Sequence, residues 1–181
     1  MSPHTIVLAT VRRLARHSRA VLAVLVLVAP AGCQIGVDPA PPPEFFDGAT
    51  ATRNGEIRVE FRDCRHSVSL VQLYREVSGR STGDYPLLWS ARAGAGQEIP
   101  AGQAATVTVG QPPPGFTVEQ PLDEPLSGRL LFIYGRQPSD AISFGFDSTA
   151  PQAGSYVIEM GKGLSRDDFQ HRLDDICADQ E

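Results

Sequence analysis

The chain has 181 residues, room for one ordinary domain with short accessory segments. Residues 1–32 hold four of its 16 Lys and Arg residues and none of its 21 Asp and Glu residues. The remaining chain therefore carries 12 basic against 21 acidic side chains, a formal charge of −9. An acidic body of this kind lacks the basic stripe typical of nucleic-acid binding. Its negative charge also disfavours electrostatic binding to anionic lipid. We expect no nucleic-acid partner.

The N-terminal segment has the three-part layout of a secretory signal. Four arginines between positions 12 and 19 precede an unbroken apolar run over residues 20–29, and small residues follow up to Cys33. The apolar run is shorter than the ~20 residues that span a bilayer. We therefore predict that residues 1–32 are a signal peptide rather than a permanent transmembrane helix.

The residues around Cys33 determine whether an exported chain would be anchored to the membrane or secreted. Pro30-Ala31-Gly32-Cys33 resembles the lipobox of the bacterial lipoprotein class, whose signals end in Leu-Ala-Gly-Cys, and departs from it at Pro30. The resemblance implies a diacylglycerol on the Cys33 thiol, with palmitate among the acyl chains, and a cell-membrane anchor on the extracytoplasmic face. The alternative is ordinary cleavage at the A-x-A site Ala29-Pro30-Ala31, which predicts a secreted chain.

Residues 33–54 are predicted to be the lipidated cysteine and a proline-rich tether, and residues 55–181 the folded domain. The stretch DPAPPPE at 38–44 favours extended polyproline II. At ~3.1 Å per residue, about twenty residues would reach up to ~60 Å from the lipid head groups. The alternative is a disordered N-terminus with no spacer role. Phe45 and Phe46 are expected to mark the first contact with the folded body.

Seven short segments after Gly55 have the period-two pattern or the apolar run of β-strands. Apolar and charged residues alternate strictly over Ile57–Arg62, and Leu87, Trp89 and Ala91 are predicted to share one buried face. The predicted fold is mainly β, a single antiparallel β-sandwich of the immunoglobulin-like kind with about seven strands and one C-terminal α-helix. The predicted strand segments are residues 57–64, 68–76, 86–92, 105–109, 129–134, 141–146 and 156–160.

The C-terminal segment has the signals of an α-helix. Ser165 is the predicted N-cap, and acidic residues at 167 and 168 suit the positive end of the helix dipole. Phe169, Leu173 and Ile176 recur at helical spacing, which predicts one inward face.

Three cysteines are an odd number for an exported chain. If Cys33 carries lipid, Cys64 and Cys177 are left to form a disulfide. The two cysteines are 113 positions apart. Closing a loop of ~100 residues would stabilise the fold by up to ~4.7 kcal/mol in the chain-entropy model. It would also pin the predicted helix to the end of the first predicted strand. The alternative is two buried free thiols.

One segment matches a catalytic motif in sequence. Gly79-Arg80-Ser81-Thr82-Gly83 fits the nucleophile elbow of α/β-hydrolases, with Asp147 and His171 in the matching chain order. The elbow needs a strand, a sharp turn and a helix, whereas here the pentapeptide is typical of a polar turn between antiparallel strands. We therefore expect no enzymatic activity.

Two further features are candidate sites. Asp168, His171 and Asp175 share one face of the predicted helix, which is typical of a solvated surface, and we predict neither a metal site nor a cofactor. The proline-rich stretch Gln111–Gly128 is either a binding loop or an ordered crossing between sheets.

These features predict a membrane-anchored, non-catalytic binding or interaction module of the cell envelope. Its partners would be the membrane, through the N-terminal lipid, and an envelope protein. One alternative is a small-ligand carrier, which requires an apolar pocket of ~300 Å³ or more between the sheets. The other is a hydrolase using Ser81, which requires His171 and an aspartate within hydrogen-bond reach of its hydroxyl.

Overall fold

The computed structural model describes residues 44–158 and 161–178. The predicted signal peptide, Cys33 and most of the predicted tether lie outside these residues. The described chain contains ten strands, one α-helix and two short 3₁₀-helices at Thr82–Asp84 and Pro138–Asp140. The strands are β1 (Phe45–Ala51), β2 (Ile57–Asp63), β3 (Leu70–Arg75), β4 (Leu87–Ala93), β5 (Ala105–Thr108), β6 (Phe116–Gln120), β7 (Arg129–Gly135), β8 (Ile142–Asp147), β9 (Ser155–Val157) and β10 (Gly163–Ser165), and the helix is α1 (Arg166–Asp175).

The strands form two antiparallel five-stranded sheets. Sheet A has the order β10-β9-β1-β2-β5, and sheet B has the order β6-β4-β3-β7-β8. The prediction of a mainly β, antiparallel fold with one C-terminal helix is confirmed. The number of described strands is ten rather than the predicted seven, because β1 and β10 have no clear alternation in the sequence and β6 is a short segment within the proline-rich stretch Gln111–Gly128.

The main core takes side chains from both sheets. Val59 and Phe61 of sheet A and Trp89 and Phe132 of sheet B are fully buried in one hydrophobic cluster. The strict alternation over Ile57–Arg62 therefore has its predicted result, since its apolar members face this core. Phe61 also stacks on Tyr134 of sheet B, with ring centroids 4.1 Å apart.

The first strand lies where the tether was expected. Strand β1 pairs with β2 over seven positions, from Phe45 opposite Asp63 to Ala51 opposite Ile57. The sheet thus begins at Phe45 and not at residue 55. The sequence of β1 has no alternating strand pattern, because contacts with distant parts of the chain determine its central residues. Asp47 faces the core, where its Oδ2 accepts a hydrogen bond from the Tyr134 hydroxyl at 2.9 Å, and Gly48 lies under the Phe169 ring.

A β-bulge changes which side chains of β4 face the core. Leu73 lies opposite Trp89 and Tyr74 lies opposite Leu87, which leaves Leu88 as the extra residue. Such an insertion reverses the side-chain alternation on one side of the bulge. Leu88 therefore turns into the core and Leu87 is 37 % exposed, so the prediction that Leu87 faces inward is wrong. Trp89 and Ala91 are buried as predicted.

The stretch Gln111–Gly128 is an ordered crossing between the sheets. It follows β5 of sheet A and contains β6, which pairs with β4 at the edge of sheet B. Leu122 and Leu126, beyond β6, pack against the main core. Apolar anchors of this kind hold the proline-rich backbone in place without an unbroken strand pattern.

Helix α1 lies on the face of sheet A that points away from the core. The Ser165 Oγ accepts a hydrogen bond from the Asp168 backbone N at 3.2 Å, as predicted for an N-cap. Phe169 and Leu173 are buried, whereas Ile176 lies just past the helix and is half-buried. Among the described residues, no helix has both the length and the apolar character that a bilayer crossing requires.

Two contacts hold the C-terminal end of α1. Cys64, directly after β2, forms a disulfide with Cys177, with an S–S distance of 2.08 Å, so the predicted pairing is confirmed. The Arg62 guanidinium donates hydrogen bonds to the backbone oxygens of Leu173 and Asp174 at 3.0 and 2.9 Å. These carbonyls lack intrahelical partners, and a cation at this end of a helix is favoured by the macrodipole.

Candidate functional site

Helix α1 covers only part of the outer face of sheet A. Its Phe169 ring stacks on Tyr156 at a centroid distance of 3.9 Å and lies directly over Gly48. Gly48 lies opposite Glu60, and the next pair on the same face of the sheet is Thr50 opposite Arg58. These residues form part of the floor of an open cleft.

We call this feature the arginine cleft. It has a volume of about 400 Å³ and is bounded by the turn between β1 and β2, by the chain leading into β9 and by the first residue of α1. Its polar lining comes from four separate parts of the chain. The residues that define it here are Thr50, Arg53, Arg58, Glu60, Tyr156 and Arg166.

Local hydrogen bonds fix the turn that presents Arg53. The Thr52 Oγ1 accepts a hydrogen bond from the Glu56 backbone N at 3.1 Å, and the Gly55 N donates to the Thr52 carbonyl oxygen at 3.0 Å. Gly55 has a φ of 82°, a left-handed conformation that glycine adopts without steric cost. The turn therefore places Arg53 at the rim of the cleft in a defined backbone geometry.

The arginines of the cleft outnumber its one carboxylate. Within the described part of the chain, Arg53, Arg58 and Arg166 form no ion pair with a carboxylate. Sheet B is arranged differently, since an arginine on each of β3, β4 and β7 is neutralised at 2.6–2.9 Å. These pairs are Arg75–Glu124, Arg92–Glu119 and Arg129–Glu76.

The carboxylate in the cleft has other partners. Glu60 accepts a hydrogen bond from the Tyr156 hydroxyl at 2.6 Å through Oε1 and one from Gln170 Nε2 at 2.7 Å through Oε2. One oxygen is therefore held by β9 and the other by α1. Burial of the phenol, its hydrogen bond to Glu60 and the negative charge of that carboxylate raise the pKa of Tyr156 to about 12.

The Tyr156–Glu60 contact makes a prediction about stability at high pH. The folded chain keeps the phenol proton to about pH 12, whereas an ordinary tyrosine loses it near pH 10. Between these values the folded state binds more protons, so the free energy of unfolding falls as pH rises through this window. Below pH 10 this group adds no pH dependence. We expect urea unfolding of Tyr156→Phe at a series of pH values to show a shallower fall, and identical curves for the two proteins would contradict it.

A second cleft lies on the other side of α1. It has a volume of about 590 Å³, and Phe45, Phe46 and Leu164 line it together with the cations Lys162 and Arg172. Phe46 contacts the helix through Phe169, with ring centroids 5.1 Å apart. Phe46 therefore packs on the body as expected, but Glu44 already contacts the body before it, since its carbonyl oxygen accepts a hydrogen bond from the Cys64 N at 2.9 Å.

A third cleft opens near the main core, where β1 of sheet A lies beside β7 and β8 of sheet B. It has a volume of about 330 Å³ and lies beside β1 and β8, where the buried residues Asp47 and Phe144 line it. The ion pair of Arg129 and Glu76 forms another part of its wall.

The predicted hydrolase residues bind three different partners. The Ser81 Oγ donates to Asp84 Oδ2 at 2.7 Å in the turn between β3 and β4. His171 pairs with Asp175 on the exposed side of α1. Asp147 accepts hydrogen bonds from the backbone N and hydroxyl of Thr149, which lower the pKa of its carboxyl. Among the described residues, Ser81, Asp147 and His171 form no hydrogen bond with one another.

The side chains on the helix face with metal-binding residue types make other contacts. Asp168 Oδ2 accepts from the Ser165 hydroxyl at 2.6 Å, and His171 Nδ1 lies 2.7 Å from Asp175 Oδ2. Within residues 44–158 and 161–178, no three His, Cys, Asp or Glu side chains are grouped as a metal site would require.

Sequence reasoning did not identify the arginine cleft. Arg53 and Arg58 lie on either side of one turn, whereas Arg166 is far away in the chain, and the three form no motif. The one available signal was the charged side of β2, where Arg58, Glu60 and Arg62 alternate with core residues. Comparison with protein-family models, curated proteins and solved structures finds no match to this chain.

Proposed function

We propose that this protein is an exported, lipid-anchored, non-catalytic binding module of the cell envelope, and that the arginine cleft is its binding site. The observation that carries the proposal is the presence of three arginines without ion-pair partners among the described residues, on a body with an excess of acidic side chains. Exposed guanidinium groups gathered in a concave site are suited to hold an anionic partner.

The other polar groups of the cleft favour binding over catalysis. The Thr50 hydroxyl donates to the Gln152 carbonyl oxygen at 3.0 Å, and the Tyr156 hydroxyl donates to Glu60. A general base or nucleophile must reach a reacting group, and these side chains are turned toward the protein. The arginine donors are left to meet a ligand.

The proposed anchor is Cys33, which lies outside the described residues. The Cys64–Cys177 disulfide supports it in two ways. Disulfides persist in oxidising compartments, so the pair favours export. It also occupies two of the three cysteines and leaves Cys33 for the lipid. Because β1 begins at Phe45, the ten residues between Cys33 and Glu44 would reach roughly 30 Å as polyproline II, about half the length first expected.

The arrangement of the sheets supports a finer proposal about the fold. We propose a β-sandwich of the immunoglobulin-like kind, because both sheets are antiparallel and contribute to one core.

The intact mass of the protein from the expressing bacterium, with and without reductant, tests the anchor. We expect a chain that starts at Cys33, carries added lipid mass and takes up two hydrogen atoms on reduction. The Cys33→Ser variant should lose the lipid mass and leave the membrane fraction while keeping the disulfide. An unmodified soluble chain that starts at Gly32 would contradict the anchor and favour the secretion alternative.

A further inference from the structure

We propose that the arginine cleft recognises a phosphate group, carried as a monoester on a small ligand. The inference rests on the proposed function for the location of the site, and it adds the chemical class of the ligand. The charges, the surrounding surface and the size of the cleft each bear on it.

The charge of the cleft matches a phosphate monoester. Arg53, Arg58 and Arg166 contribute three positive charges, and Glu60 contributes one negative charge. The net charge of these four side chains is about +2, and a phosphate monoester carries a charge of about −1.5 to −2 at neutral pH. A single carboxylate carries half of that charge. Arginine forms paired hydrogen bonds to phosphate oxygens, which adds geometric selectivity to the attraction.

Helix α1 adds to the positive potential of the cleft. Arg166 is its first residue, so the N-terminal end of a ten-residue helix borders the site. The partial positive charge of this end favours an anion. Ser165 and Asp168 already cap the first turn, so we assign the helix a supporting field and the arginines the direct contacts.

The surroundings favour a small ligand over a flat anionic surface. The helix beside the cleft exposes four aspartates against two arginines, so a negatively charged membrane lying across it would meet like charge. A small molecule avoids these carboxylates by entering the cleft. The volume of about 400 Å³ lies in the range of small-molecule sites and leaves room for an organic group next to the phosphate. The exposed aspartates are Asp167, Asp168, Asp174 and Asp175.

Calorimetric titration of the full chain, purified in mild detergent, tests the inference with inorganic phosphate and with glycerol 3-phosphate. We expect both to bind, and Arg58→Gln or Arg166→Gln to weaken each by about tenfold, as the loss of a charge-assisted contact predicts. The matched control is Arg80→Gln, since Arg80 is an exposed arginine in the turn between β3 and β4 and does not line the cleft. Its affinity should equal that of the unchanged protein, and thermal unfolding should show that each variant is folded.

Two additional probes identify the ligand class and its source. Malonate presents carboxylates of similar charge, and tighter binding of malonate than of phosphate would overturn the phosphate assignment. If that binding is lost in Arg58→Gln, the cleft is still a binding site and the proposed function stands. Phosphatidic acid dissolved in the same micelles tests the lipid source. Binding of phosphatidic acid alone, lost in Arg58→Gln, would support phosphate recognition and identify a head group as its carrier. If inorganic phosphate, glycerol 3-phosphate and phosphatidic acid all fail to bind, or bind equally to all variants, the inference is overturned.

Discussion

Replacing both disulfide cysteines, Cys64→Ser with Cys177→Ser, is expected to lower the free energy of unfolding by about 2–5 kcal/mol. The disulfide joins the end of β2 to the residue after Ile176, across 113 positions of sequence. Without it the unfolded chain gains conformational freedom and α1 loses one of its two C-terminal attachments. Because single domains are stable by only about 5–15 kcal/mol, the loss is a large fraction of the total. Urea unfolding of the two proteins measures it.

The third cysteine provides the control for this prediction. Cys33→Ser leaves the disulfide intact, and we expect it to change the free energy of unfolding by less than about 0.5 kcal/mol, the usual range for a substitution in a tether of the proposed kind. Reductant added to the unchanged protein should reproduce the loss seen in the double variant. Equal stability with and without reductant would show that the cross-link does not hold the fold.

Phe169→Ala is expected to cost about 3–5 kcal/mol, the usual range for a large aromatic side chain in a core. The ring is fully buried, stacks on Tyr156 and contacts Phe46. With Leu173 it packs α1 against sheet A, so its removal leaves a cavity that the short helix cannot fill. Urea unfolding gives the loss, and a cost below about 1 kcal/mol would mean that α1 is held by its C-terminal end alone.

Gly48 tests the same contact from the other side. A Cβ at this position would lie 2.5 Å from Phe169 Cε2, so Gly48→Ala is expected to cost about 1–3 kcal/mol through overpacking. Combining it with Phe169→Leu should cost less than the sum of the two, because the smaller side chain removes the overlap. The matched control is Gly163→Ala on β10, where a Cβ meets no atom within 4 Å. Additive costs for the pair would contradict the close approach.

Elements with a local pattern could be predicted from the sequence. Strand β2 and helix α1 each bury one side at a fixed period, so the buried residues Val59, Phe61, Phe169 and Leu173 were identified correctly. The pairing of Cys64 with Cys177 followed from counting cysteines. Each of these inferences uses neighbours in the chain or residue type, and none depends on the positions of distant strands.

The remaining features depend on distant parts of the chain. Asp47 and Gly48 interrupt the pattern of β1 because one pairs with Tyr134 across the core and the other makes room for Phe169. The exposure of Leu87 follows from a bulge set by pairing with β3. The arginines of the cleft are brought together by a turn, a strand and a helix start. Only the assembled sheet reveals these relations.

The position of β1 has a mechanical consequence. The chain enters this strand at Phe45, on the side of the proposed anchor, and leaves it beside Thr50 and the arginine cleft. A pull between the membrane and a bound ligand would thus run along β1. The hydrogen bonds to β2 lie across that direction over seven residue pairs, so the load is shared among them in shear instead of opening them one by one. The cross-link at Cys64, beside the loaded end, would keep β2 and α1 joined under such tension.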